Sequence, residues 1–123
     1  MTWQAIRLEL HRTYDFPNGS AGRAYLLRLP LDPGGSIDET AMRESPERAT
    51  MRRFWPNEPD CSGHVRCDGD RCICITAGDD CRCAIVSEFR REAFKEGAVV
   101  IFTGRDGTRL PFRVAKMRML KGH

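Results

Sequence analysis

Lysine is scarce in this sequence, and long apolar runs and catalytic signatures are missing. Only three basic residues are lysines (Lys95, Lys116 and Lys121), against 17 arginines. No stretch approaches the roughly 20 apolar residues of a membrane-spanning helix, so no membrane is expected as a partner. There is no G-x-S-x-G, no P-loop and no dinucleotide-type G-x-G-x-x-G, so the common hydrolase and nucleotide readings have no support. Residues 1–7 lack the basic segment and apolar core of a secretory signal, which places the chain in the cytoplasm with its thiols reduced. Cysteine is absent before Cys61 and after Cys83.

The 123 residues are 41% hydrophobic and carry a net charge of +3. That suits one folded domain, residues 1–120, and excludes disorder. Residues 121–123 read as a tag remnant. The acidic residues are spread along the chain and no basic run stands out, so nucleic acid is not expected as a partner.

Strand signals dominate. Ile6, Leu8 and Leu10 alternate with Arg7, Glu9 and His11, the period of a half-buried strand. Asn18-Gly19 suits a type I′ hairpin turn. A turn there would set Phe16 opposite Ala21, Leu10 opposite Leu27, Leu8 opposite Leu29 and Ile6 opposite Leu31, with Glu9 against Arg28. Near the other end, 98–103 is a β-branched and aromatic run, Asp106-Gly107 is a turn, and 109–117 returns. Pro111 there calls for an edge or a bulge. Ser36-Ile37-Asp38-Glu39 fits a capping box with Ser36 as N-cap, starting a short helix over 37–44 that Pro46 stops. Residues 49–55 read as another strand. Residues 87–97 are a helical turn or a loop whose Phe89 and Phe94 plug the core. The sum is about eight short strands and one short helix, which predicts a small antiparallel β-barrel or rolled sheet.

The six cysteines suggest zinc first, through Cys61-x-x-His64-x-x-Cys67 and two C-x-C pairs, but neither has zinc-knuckle spacing. Gly69-Asp70 and Gly78-Asp79 both suit type II′ turns. These would make a three-stranded meander with Cys67 opposite Cys72 and Cys74 opposite Cys83. Val65, Cys67, Cys72, Cys74, Thr76, Cys81, Cys83 and Ile85 would share one face. On a flat meander Cys67 and Cys83 are about 12 Å apart, too far for one tetrahedral ion. Moving the second turn to Ala77-Gly78 would instead group Cys72, Cys74, Cys81 and Cys83. Buried thiols lead this reading, and Cys67–Cys72 and Cys74–Cys83 are the pairs most able to oxidise. No cofactor is called for, and any zinc would come from Cys67, Cys72, Cys74, Cys81 and Cys83.

Arg52-Arg53-Phe54-Trp55-Pro56-Asn57-Glu58 is the most binding-like stretch. Arg52 and Phe54 face one way on a strand, Arg53 and Trp55 the other, and Trp and Arg are enriched in binding hot spots. Against this, Trp55 could simply close a barrel end under an arginine stem. His64 is the one histidine beside both a cysteine and acidic residues, whereas His11 falls on a polar strand face. The pieces Gly35-Ser36-Ile37-Asp38, Arg52 to Pro59, Phe94-Lys95-Glu96-Gly97 and Pro111-Phe112-Arg113-Val114 together resemble a family of small uncharacterised bacterial proteins. The resemblance spans most of the chain and implies no activity and no site residues. The sequence therefore points to a non-enzymatic binding or interaction module using Arg52, Arg53, Trp55, Glu58 and His64, with a protein or a small anionic ligand as partner. The alternative is a cysteine-based zinc-binding or redox protein.

Overall fold

The computed structural model describes residues 1–77 and 83–120. Its strands are β1 (Thr2–Leu10), β2 (Ser20–Leu31), β3 (Thr50–Phe54), β4 (Cys61–Asp68), β5 (Arg71–Ala77), β6 (Cys83–Arg90), β7 (Val99–Gly104) and β8 (Arg109–Met119), with one helix, α1 (Glu39–Glu44), and a 3-10 turn at Pro46–Arg48. Each strand pairs antiparallel with the next, and β8 returns to β1, so the sheet is a closed barrel of eight strands. Closure leaves no free sheet edge. No described helix is long and apolar enough to cross a membrane.

The interior is filled by the residues that alternation turns inward. Ile6, Leu8 and Leu10 from β1 meet Leu27, Leu29 and Leu31 from β2, Met51 from β3, Val65 from β4, and Phe112 and Val114 from β8, all buried. The pairing within the first hairpin differs from the expected one. Ile6 lies opposite Leu27, Leu8 opposite Tyr25, Glu9 opposite Ala24 and Leu10 opposite Ser20. From Thr2 to Glu9 the slip is four residues, an even number, so the inward face is kept while every partner changes, and a bulge between Glu9 and Leu10 sets the last pair apart. The turn causes part of the slip. The Gly19 amide bonds the Phe16 carbonyl at 2.9 Å, so Pro17 and Asn18 are the central residues, and Gly19 follows at φ 73°. Positive φ at a described non-glycine residue occurs only at Asn57, so a type I′ turn, which needs it at both central positions, is not formed. Proline at the first central position takes the turn one residue earlier, which moves each partner by two; the loop over 11–19 and the bulge at 21–23 supply the rest.

The helix also starts later than the capping box suggests. Asp38, not Ser36, is the N-cap, and its carboxylate accepts the Ala41 amide at 2.9 Å. Leu31 still bridges Ile37 across the intervening loop, which holds Ser36 outside the helix. Glu39 is thereby free to meet Arg91, whose guanidinium also bonds the carbonyls of Ile37 at 2.8 Å and Gly69 at 3.3 Å. Arg91 holds the Glu39 carboxyl below the usual carboxylate range. Residues 87–90, Phe89 among them, belong to β6 rather than to a helical turn or loop, and Phe89 and Phe94 do plug the core, 6.0 Å apart edge to face. Ile37, Ala41, Phe94 and Leu31, all buried, close this end of the barrel.

Pro111 sits inside β8 with β-partners on one side. In an antiparallel ladder a residue's N and O face the same neighbour. The Pro111 carbonyl accepts the His11 amide at 2.9 Å, so its ring nitrogen faces the chain just past the end of β1, where a missing N–H costs no ladder bond.

In the cysteine segment, Gly69 has φ 60° and Cys67 stands opposite Cys72, as expected. The next pairing does not follow. Cys74 lies opposite Ser87, Ala77 opposite Cys83 and Ile75 opposite Ile85, with Val86 as the extra residue of a bulge. The bulge turns Ile85 outward, 43% exposed, rather than onto the cysteine face. The Gly78-Asp79 turn, the Ala77-Gly78 alternative, Cys81 and the 121–123 tail lie outside the described residues.

Candidate functional site: the open mouth of the barrel

The end opposite α1 is open, and β3 supplies its most distinctive side chains. Met51 is fully buried, so alternation sends Arg53 and then Trp55 inward and upward toward the rim. The chain then reverses sharply. The Glu58 amide bonds the Trp55 carbonyl at 3.2 Å, with Pro56 and Asn57 (φ 65°) between them. Proline first and positive φ second is the signature of a type II turn. This turn folds Glu58 back so that its carboxylate is 3.5 Å from Arg53, while the Arg53 guanidinium lies 4.2 Å above the Trp55 ring. Arg23 also approaches the Trp55 ring, at 5.7 Å, and covers Phe16 at 4.1 Å. Trp55 is thus approached by two guanidiniums at the rim.

Below the rim the wall is aromatic. Trp55 leans on Phe112 at 6.3 Å, Phe112 meets Tyr25 and Phe102 edge to face at 5.1 and 5.2 Å, and Tyr25 stacks on Phe102 at 4.4 Å. Leu110, Val86 and Thr108 complete a cavity of about 220 Å³. At its floor the Tyr25 hydroxyl and Ser87 Oγ are 2.9 Å apart. Cys74 shares the Ser87 hydroxyl from deeper in the core. Burial first, then the neighbouring Cys74, pushes Tyr25 up to about 12, against the pull of Ser87 and Arg53. Burial likewise pushes the Cys74 thiol up to about 12. Both groups stay protonated at neutral pH and act as hydrogen-bond partners, not as bases or nucleophiles.

These two groups give stability a pH dependence. Each binds its proton more tightly in the folded chain than in the unfolded one, so the contribution is complete below the ordinary values of 9.0 for Cys74 and 10.0 for Tyr25 and is lost as pH rises toward about 12. Urea midpoints should fall progressively above pH 9.0, the ordinary thiol value. Tyr25→Phe should flatten the upper part of that decline and cost about 1 kcal/mol at neutral pH through the Ser87 partner it removes. An unchanged alkaline decline in Tyr25→Phe would separate Tyr25 from it.

The structure divides the residues singled out from sequence between two places. Arg53, Trp55 and Glu58 meet at the mouth. Arg52 points outward, 3.5 Å from Asp60 and 5.1 Å over Phe54, and His64 lies on the same outer surface opposite Thr50. Tyr25, Ser87, Phe102, Phe112 and Arg23 had no place in that set. Tyr25 is the one polar member of an inward series otherwise made of leucines, a signal visible in sequence, whereas Ser87 is 62 residues away and has none.

The cysteines need a correction. Cys67 and Cys72 form a disulfide across the β4–β5 turn, so two of the expected buried thiols are not thiols. The strand pairing that makes them face each other also brings the sulfurs within bonding reach. Cys74 is a buried free thiol, and Cys61 is half-buried near Arg53 and Glu58. Among the described residues no group of three or more His, Cys, Asp or Glu side chains could hold a metal ion. Cys81 and the side chain of Cys83 are not among them.

Fold and mouth together define a small closed up-and-down antiparallel barrel with one plugged end and one open, aromatic-lined end. No protein family, no curated protein and no solved structure matches the chain.

Proposed function

We propose that this barrel is a binding protein that takes a small carboxylate with an apolar, ring-sized body into its open mouth. The observation that carries the reading is Arg53, held over Trp55 at the rim of a cavity whose walls are aromatic and whose floor is the Tyr25–Ser87 pair. Pockets that combine apolar walls with a few convergent polar groups are the common form of small-molecule sites. A volume of 220 Å³ corresponds to about seven waters, or a ligand of about ten heavy atoms. A guanidinium partly shielded by an indole makes a stronger hydrogen bond to a carboxylate than a fully solvated one. Glu58 occupies Arg53 at 3.5 Å in an exposed pair worth little by itself, so an incoming carboxylate displaces it at small cost. With Tyr25 and Cys74 both held protonated, the mouth favours binding over proton-transfer chemistry.

Benzoate is the probe that fits this size and chemistry. Titrating it should change the fluorescence of Trp55 saturably, with Trp3, only 8% exposed, as a constant background. Arg53→Gln should weaken binding about 10-fold or more, the usual loss for a hydrogen bond to a charged group, while leaving the melting temperature near that of the parent. Benzyl alcohol, which has the ring without the charge, should bind as weakly to the parent as benzoate does to the variant. No saturable signal with benzoate, or equal affinity in Arg53→Gln, would sink the proposal.

A further inference from the structure

The net charge of +3 conceals a segregation that only the strand register reveals. The outward residues of β8, β1, β2, β3 and β4 line up in rows across the barrel wall. One row runs Arg118, Ala5, Arg28, Thr50, His64. The next runs Lys116, Arg7, Leu26, Arg52, Ser62, and above it Arg113, Glu9, Ala24, Phe54. Arg66 extends the basic surface further along β4, opposite Ile73 of β5. Arg7, Arg28, Arg113, Lys116 and Arg118, on the adjacent strands β8, β1 and β2, thus share one side of the barrel, while Arg52 and Arg66 lie further round it. Of the 17 acidic residues, only Glu9 and Asp68 face outward from these five strands. Glu9 is paired with Arg7, and Arg52 is met from a loop by Asp60. Arg28, Arg66, Arg113, Lys116 and Arg118 are exposed and have no acidic partner among the described residues. Dispersed along the chain, Arg7, Arg28, Arg113, Lys116 and Arg118 converge on one side of the fold.

We infer that this wall binds the phosphate backbone of a nucleic acid without reading its bases. Neighbouring strands lie about 4.8 Å apart and successive outward residues about 6.8 Å apart, so these five cations form a grid about 10 Å across the strands and about 14 Å along them, which meets a line of phosphates at several points. Four of the five are arginines, whose planar forks match phosphate oxygens two at a time. The wall is convex and offers no free aromatic face for a base to stack on, since Phe54 is half-buried beneath Arg52. Stacking platforms are what single-strand readers use, so the contact is with the backbone. A lipid surface fits less well. Between its cations Ala5 and Ala24 are short and buried beneath their neighbours and Leu26 is half-buried, so the wall lacks the aromatic or long apolar anchors of interfacial binders. The expectation of little nucleic-acid binding followed from net charge and chain dispersion, and the fold reverses the second of these.

The test is fluorescence anisotropy of a labelled random-sequence DNA duplex over a series of salt concentrations. The wild type should bind with a steep inverse salt dependence. A variant carrying Arg28→Gln, Arg113→Gln, Lys116→Gln and Arg118→Gln should lose roughly 0.9 of the log–log slope per phosphate contact removed, and affinity by about 100-fold. A control with the same charge change elsewhere (Arg71→Gln, Arg90→Gln, Lys95→Gln and Arg105→Gln) should keep most of the affinity and slope. All eight positions are exposed, and thermal melts confirm that both variants fold. Absence of duplex binding at low salt, equal loss in the control variant, or capture by phosphatidylserine vesicles without duplex binding would each overturn the inference. The wall variant should still give the wild-type benzoate titration, so failure here and failure at the mouth are read separately.

Discussion

Gly63→Val should be the most destabilising single substitution on the surface strands, costing at least about 3 kcal/mol and leaving little folded protein at moderate urea. A Cβ on Gly63 would stand 1.8 Å from the Ile75 carbonyl oxygen and 2.8 Å from the Thr76 Cα. Both are backbone atoms of the neighbouring strand, so no side-chain rotation relieves the overlap. Either β4 and β5 separate or their register shifts, and a one-residue shift would turn Val65, Cys72 and Cys74 out of the core. Gly69 in the same hairpin provides the contrast. Its Cβ would meet nothing within 4 Å, but its φ is 60°, so Gly69→Ala should cost only the left-handed penalty of about 1–2 kcal/mol. Urea unfolding of the two variants separates close approach from backbone conformation. Equal losses would mean that β4 and β5 can part at Gly63 without consequence.

How much of this architecture could be read from the chain depends on the range over which the information acts. Alternation and turn chemistry act over a few residues, and they gave the eight strands, the plugging role of Phe89 and Phe94, and the facing of Cys67 and Cys72. The register of β1 against β2 depends on the whole loop from 11 to 19. There Pro17 captured the turn that Asn18-Gly19 alone would have placed one residue later. The helix start failed for a similar reason, because the Leu31–Ile37 bridge holds Ser36 outside the helix. The bulge at Val86 re-faced Ile85, and a bulge leaves no mark in a period-two pattern. Arg53, Trp55 and Glu58 were legible as a unit because a single turn unites them. The Tyr25–Ser87 floor and the basic wall were not, since each depends on which distant strands become neighbours. Closure of β8 onto β1 is what sets Lys116 beside Arg7.

Phe112→Ala should test the mouth from below. Phe112 is 1% exposed and touches Tyr25, Phe102 and Trp55, the three other rings of the cavity wall. Truncating a buried phenylalanine costs about 3–5 kcal/mol, and the spread reflects how far the site can refill. At Phe112 the new void is continuous with an open cavity, so water enters it and the loss should fall near 3 kcal/mol. Phe94, equally buried at 1% but in the plugged end, leaves a sealed apolar hole, and Phe94→Ala should sit near the top of the range. The same substitution should alter ligand size preference. With the wall set back, 1-naphthoate should gain on benzoate by about 10-fold or more, since about two buried methylene equivalents are worth that much, whereas Phe94→Ala should leave the ratio unchanged. If the two variants lose the same stability and neither shifts the ratio, Phe112 is ordinary core and the cavity above it is not where an apolar ring would sit. A ratio that moves in Phe112→Ala alone ties the depth of the mouth to its choice of ligand.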